Sequence, residues 1–234
     1  MADSLLEIDH LVWVVPSLPE GIAAFEALTG VAPTIGGQHQ GIGTHNALLS
    51  FGDGRYLELL ARDPAQESGL PWLGVDVPAQ PCLTTFCARL RGGGEQSAST
   101  LEEFIARVQA SGYDAGLVDA MSRQTQEGKT VRWRLAARNH KSGYAHLPGG
   151  GLIPFLIDWS PNELPHPSQT APSGCTLVAM RAWHPDPASV VPVLSSMGAT
   201  GCFESDKDGS CVGQGDQPRI EIVLDTPKGR VTLS

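Results

Sequence analysis

The sequence predicts an α+β protein built from tandem βαβββ modules. Three features carry that reading. An apolar strand leads, a capped amphipathic helix follows, and short strands separated by Gly-rich turns complete the unit. This order occurs three times in 234 residues. Solenoid repeats recur every ~20–50 residues. The helix starts here, at Ser17, Ser99 and Asp186, lie farther apart, so each repeat is a module of its own rather than a solenoid turn.

The first module spans about 5–62. Its leading strand is IDHLVWVV, and Ser17 with Glu20 three residues on forms a capping-box pattern. Leu18, Ile22, Phe25 and Leu28 give the helix one apolar stripe, and Gly30 ends it. NALLSF and YLELLA flank a Gly52-Asp53-Gly54-Arg55 turn, a hairpin signal. The second module spans about 80–161. CLTTFCARL leads, and Ser99 to Glu102 is the expected capping box. Leu101, Phe104, Ile105 and Val108 form the stripe, and Gly112 closes the helix. TVRWRLAARN, GYAHL and PFLIDW supply its strands, with Gly149-Gly150-Gly151 as a turn.

NELPHPSQTAPS, residues 162–173, is rich in Pro and Ser and reads as a connector. The third module, 174–234, is expected to pack on the same domain. TLVAMRAW leads, Asp186-Pro187 starts a helix, and Val190, Val191, Leu194 and Met197 form its stripe up to Gly198. Pro192 should kink that helix or shift its start. RIEIVL and RVTLS flank the turn Pro227-Lys228-Gly229.

Composition narrows the function. Hydrophobic residues make up 41% and charged residues 18%, as in ordinary globular proteins. The net charge of −9, without a basic run, argues against nucleic acid and anionic membrane as partners. No apolar stretch approaches the ~18–20 residues of a membrane span, and the N-terminus lacks the basic region and apolar core of a signal peptide. Five cysteines without C-x-x-C spacing read as free thiols in a reducing compartment, which places the chain in the cytoplasm. A small molecule is the expected partner, with at most a second copy of the chain in a homodimer.

IDHLVW, GIAAFEALTG, GTHNALLSFGDGRYLELLA and PFLIDW, together with the tandem modules, resemble the vicinal oxygen chelate superfamily and its glyoxalase-like proteins. The resemblance is good over roughly 5–160 and loose in the third module. It implies the glyoxalase/bleomycin resistance/dihydroxybiphenyl dioxygenase-like fold, in which paired modules curl into a half-open barrel around a divalent metal (Zn, Mn, Fe or Ni). It implies metal ligands at His10 in the first strand, Glu58 in the last strand of the first module, and Asp158 in the second. Glu58 and Asp158 are also the implied catalytic carboxylates. Thr85 falls where a fourth ligand would be expected.

Strand alternation adds an independent argument. Ile8, His10, Val12 and Val14 share one face; Asp9, Leu11, Trp13 and Val15 share the other, which suits the helix. His10 then faces a cavity, and Tyr56, Glu58 and Leu60 share the facing side of their strand. Asp9 is expected to cap backbone at the start of the strand. Residues 36–46, GGQHQGIGTHN, lack a phosphate-loop signature and read as a solvated connector or a mobile lid. Asn46 and Tyr56 are candidate substrate contacts. So are Arg138 and His140, in the cationic run 138–141, which suits an anionic group. His39, His146, His166 and His184 show no partner at metal spacing. The implied function is a metal-dependent isomerase, lyase or dioxygenase acting on a small oxygenated molecule. The alternative, favoured by Thr85, is a metal-free protein that binds or sequesters a small molecule.

Overall fold

The structure, a computed structural model, describes residues 5–66, 79–92, 100–125, 127–137 and 147–234. The first module contributes β1 (Leu6–Val14), α1 (Leu18–Thr29), β2 (Thr34–His39), β3 (Thr44–Ser50) and β4 (Tyr56–Arg62). The second contributes β5 (Cys82–Leu90), α2 (Leu101–Ala110), β6 (Val118–Gln124), β7 (Thr130–Ala136) and β8 (Phe155–Asp158). The eight strands form one closed barrel in the order β1-β4-β3-β2-β6-β7-β8-β5. It closes along two seams between modules. One is the long antiparallel pairing of β1 with β5. The other is a brief contact of β2 with β6 at Gln38 and Gln124.

Two buried layers follow from alternation. Inside the barrel Val12, Val14, Leu60, Cys87, Trp133, Leu135, Phe155 and Ile157 pack together. Outside it, Leu11, Trp13, Phe86 and Leu57 meet the helices. The expected α1 stripe buries Leu18 and Phe25, with Trp13 edge-on to Phe25 at 5.7 Å. Leu28 is exposed instead. The α2 stripe of Leu101, Phe104, Ile105 and Val108 is buried in full.

The caps differ from the sequence reading. Ser17 and Asp186 occupy N-cap positions but make no side-chain cap bond. In α2 the capping box is Thr100 with Glu103, one residue beyond the expected pair; Ser99 lies outside the described residues. Gly30 and Gly198 end their helices in the left-handed conformation, as expected.

Residues 36–46 are not a loop. Gly36 to His39 belong to β2 and Thr44 to Asn46 to β3, joined by a tight turn. Strand β6 was not foreseen from the sequence either. GYAHL falls mainly on residues outside those described.

The connector carries a short helix, α3 (Pro167–Thr170). Beyond it β9 (Thr176–His184), α4 (Pro187–Met197), β10 (Gly213–Gln214), β11 (Arg219–Thr226) and β12 (Gly229–Leu233) make a separate four-stranded sheet. Helix α4 runs through Pro192 without ending. Met180, Leu194 and Ile222 join the same apolar cluster as the barrel's outer layer, and Phe86 meets Phe203 edge-on at 5.4 Å. All five cysteines are free thiols. Among the described residues no helix is long and apolar enough to cross a membrane.

Candidate active site

The barrel interior opens into a cavity lined by both modules. Its polar wall carries His10, His39, Asn46, Tyr56 and Glu58 from the first module, and Arg123 from β6. The opposite wall is apolar, with Trp133, Leu135, Phe155, Ile157 and Trp159. The sequence reading put His10, Tyr56 and Glu58 on facing sides of their strands and named Asn46 as a candidate substrate contact, and the fold brings all four to this one cavity.

Asp9 organises the floor. Pairing of β1 with β5 slips between Ile8 and His10, and such a bulge re-aims side chains. Ile8 consequently packs in the outer layer while Val12 and Val14 pack inside. Asp9 does not cap backbone; it is a fully buried carboxylate. Its Oδ1 accepts from His10 Nδ1 at 2.7 Å. Its Oδ2 accepts from Arg89 Nη1 at 2.9 Å, Trp159 Nε1 at 3.0 Å and His166 Nε2 at 3.2 Å. Burial alone would raise its pKa, but the hydrogen bonds from His10 and His166 outweigh that and hold it well below the usual carboxylate range.

Because an ionised carboxylate only accepts, His10 Nδ1 carries the proton and Nε2 is turned to the cavity. There it faces Glu58 Oε2 at 3.6 Å, beyond direct hydrogen-bond reach. Tyr56 stacks on the imidazole at 4.6 Å between centroids. Burial raises the Tyr56 phenol well above its ordinary pKa, and the negative charges of Asp9 and Glu58 add to the effect.

Glu58 is held from its other oxygen. Asn46 Nδ2 donates to Oε1 at 2.6 Å and also lies 3.4 Å from His39 Nε2. His39 Nδ1 meets Thr44 Oγ1 at 2.8 Å. Burial lowers the His39 pKa, which keeps the ring neutral, with its Nε2 lone pair toward the Asn46 amide. Asn46 therefore spends its two N–H bonds pinning Glu58 and His39. Arg123, 8% exposed, donates Nη1–H to the Gly36 carbonyl.

The sequence matches the family model of a glyoxalase-like domain over residues 8–198. The chain belongs to the glyoxalase-like domain family. A hypothetical protein from Staphylococcus aureus shares the fold of this glyoxalase-like protein, with a TM-score of 0.59 at 14% identity, over 92% of this chain and 88% of that one. Methylmalonyl-CoA epimerase from Mycobacterium tuberculosis gives a TM-score of 0.43 at 19% identity, over 69% and 93%. A hypothetical protein from Bacillus halodurans gives 0.40 at 13% identity, over 68% and 97%. Likeness at this level speaks to neither substrate nor chemistry. No protein of curated function matches the sequence.

Strand register shows how the two halves of this glyoxalase-like barrel differ. On the antiparallel seam His10 pairs with Cys87 and Val12 with Thr85, and exchange of the modules swaps these two pairs. Thr85 is thus the counterpart of His10, as the sequence reading placed it. Val12 neighbours Glu58 in the first module, and Cys87 neighbours Phe155 in the second. The counterpart of Glu58 is therefore Phe155 and not Asp158. By the same register Asn46, opposite Leu60, corresponds to Leu135, opposite Ile157. The second half-site has lost its polar groups; Thr85 spends its hydroxyl on the Gly151 carbonyl at 3.0 Å.

Asp158 stands apart from His10 and Glu58. On β8 the cavity-facing residues are Phe155 and Ile157. Asp158 points the other way, where Arg134 donates Nε–H at 2.8 Å and Ser160 donates its backbone N–H at 2.8 Å. Partial burial would raise its pKa, but the Ser160 N–H and the Arg134 guanidinium hold it below the usual value.

The implied divalent metal can be tested against these donors. Two of the three implied ligands converge, His10 and Glu58, and the third points away. Among the described residues no three His, Cys, Asp or Glu side chains are grouped to hold a metal ion. An amide N–H donor and a guanidinium, both repelled by a cation, project into the same space. The described residues do not fit a resident metal.

Arg138 and His140 lie outside the described residues. Asp9, His39, Arg123, Trp159 and His166 belong to the site and were not assigned to it from sequence. Asp9 could have been found from the cost of burying an acid in an apolar strand, which demands partners. His166 arrives from the connector and leaves no local signal.

Proposed function

We propose that the barrel cavity is an acid–base active site of the isomerase or lyase class, acting on a small oxygenated molecule, with Glu58 and His10 as its proton-transfer pair. One observation carries this reading: His10 Nε2 and Glu58 Oε2 face one another across 3.6 Å of cavity. A carboxylate oxygen and an imidazole nitrogen can each take up a proton, and both are directed at the same cavity space. Asn46 occupies Glu58 Oε1 and leaves Oε2 free, while Asp9 fixes the His10 tautomer from behind.

In such a step Glu58 takes the proton from a carbon next to a carbonyl. The C–H electron pair moves into the carbonyl and forms an enolate. Return of the proton to the same or a neighbouring carbon gives an epimer or isomer; departure of a β-substituent gives elimination. Proton transfer by positioned groups of this kind contributes about 10²–10⁴-fold.

Deuterium uptake from D2O into a panel of small 2-oxo acids and hydroxyketones tests the proposal by NMR. The wild-type protein should catalyse exchange, Glu58→Gln should lose at least ~10²-fold, and chelator treatment should leave the rate unchanged. Activity that disappears with chelator and returns with Zn, Mn, Fe or Ni would overturn the metal-free reading. Saturable cavity binding without exchange in any bound compound would instead make this a sequestering protein.

A further inference from the structure

Arg123 is the cavity group that the proton-transfer reading leaves unused. It is 8% exposed, on β6, and lines the cavity beside Tyr56 and Glu58. Among the described residues its one hydrogen-bond acceptor is the Gly36 carbonyl, and no carboxylate lies within ion-pair distance. A guanidinium presents five N–H bonds in a fixed fork, and a buried cation is costly unless an anion meets it. The nearest cavity carboxylate, Glu58, is already held by Asn46 and faced by His10 and His39.

The wall opposite the polar cluster has a different chemistry. Trp133 and Trp159 lie 5.8 Å apart between centroids, and Phe155 presents its ring to His10 at 5.6 Å. Register shows why the two walls differ: Phe155 and Leu135 stand where the first module has Glu58 and Asn46. A planar apolar body fits one side of this cavity and an oxygen-bearing head the other.

We infer that the substrate is an aryl carboxylate, its carboxylate held by the Arg123 fork and its ring set among Trp133, Phe155 and Trp159. This deepens the proposed acid–base function and rests on the same cavity. Two N–H bonds of Arg123 meet the two carboxylate oxygens, the geometry in which arginine surpasses lysine. The ring replaces water against the aromatic wall, and the carbon between ring and carboxylate lies toward Glu58.

Calorimetric titration with phenylacetate tests this on the intact protein, with phenylacetamide and cyclohexylacetate as matched probes. Phenylacetate should bind saturably, with phenylacetamide at least about tenfold weaker, since a charge-assisted hydrogen bond contributes ~1.5–3 kcal/mol. Arg123→Met should lose about the same factor for phenylacetate and little for the amide, and Arg123→Lys should recover it only in part. Equal affinity for acid and amide would overturn the carboxylate assignment, as would unchanged binding by Arg123→Met. Equal affinity for phenylacetate and cyclohexylacetate would overturn the aryl assignment. If Arg123→Met does not fold, the acid–amide pair on the wild-type protein decides. Glu58→Gln should bind phenylacetate at least as tightly as wild type, because it removes a nearby negative charge. Lost exchange with retained binding therefore separates failure of the reaction from failure of the substrate class.

Discussion

His10 donates Nδ1–H to Asp9 at 2.7 Å, and the carboxylate it meets is fully buried. Arg89, Trp159 and His166 share that carboxylate, so four groups from four parts of the chain depend on one charge. Asp9→Asn removes the charge and leaves Arg89 facing a neutral amide. Breaking a buried ionic cluster from one side costs about 3–5 kcal/mol. Urea unfolding should show a loss of that size, with a slower proton exchange at the cavity because His10 must then compete with Arg89, Trp159 and His166 for one amide oxygen. A loss below about 1 kcal/mol would mean that the cluster bears little of the fold.

Stability should fall on acidification in two stages. His39 has a pKa held below its ordinary 6.5 by burial, so the unfolded chain binds its proton first. That contribution is intact above pH ~6.5 and is lost as pH falls below it. Asp9 is likewise held below its ordinary 3.8, and its contribution is lost only as pH falls under about 4. Thermal melts of wild type and His39→Gln between pH 4 and 8 should diverge below about pH 6.5, with the variant flatter. Parallel curves would show that His39 does not titrate with unfolding.

The modules, the helix stripes and the inward-facing set of His10, Tyr56 and Glu58 are legible because alternation and helical periodicity are local properties. What failed was what distant chain segments decide. Residues 36–46 read as a loop because of their glycines, yet Gly37 lets β2 reach β6. At φ 153 its missing Cβ leaves room for the Gln124 carbonyl. Asp9 was misplaced because a bulge breaks the alternation at that point. Asp158 was matched to Glu58 as an acid near the end of a closing strand, whereas hydrogen-bond register assigns that place to Phe155. The contribution of His166 crosses 157 positions of sequence to Asp9, beyond the reach of any motif.

Asp158 belongs to a half-exposed ion pair with Arg134, which also reaches Glu102 at 2.6 Å. Exposed pairs contribute about 0–1 kcal/mol. Asp158→Asn should therefore cost no more than that in urea unfolding and leave both phenylacetate affinity and proton exchange unchanged. A loss of exchange comparable to that of Glu58→Gln would restore Asp158 to the active site and overturn the register-based assignment.

Gly36 sits where β2 passes Asn46, and its lack of a side chain is what lets the Asn46 amide reach Glu58. A Cβ built at this position collides with Asn46 Oδ1 and comes within 3.0 Å of Leu48 Cδ1. Both neighbours are buried in the cavity wall, so neither can swing into solvent. Gly36→Ala should push Asn46 off Glu58 Oε1 and overpack the wall, at a cost of about 1–3 kcal/mol. Because Gly36 also gives its carbonyl to Arg123, the same change should weaken phenylacetate binding. Gly41→Ala is the matched control: that turn glycine has open space around it, and its positive φ makes alanine there a backbone cost alone. The expected pattern is a stability loss in both variants with weakened binding only in Gly36→Ala. Equal binding in the two would show that the β2 backbone does not position the polar wall.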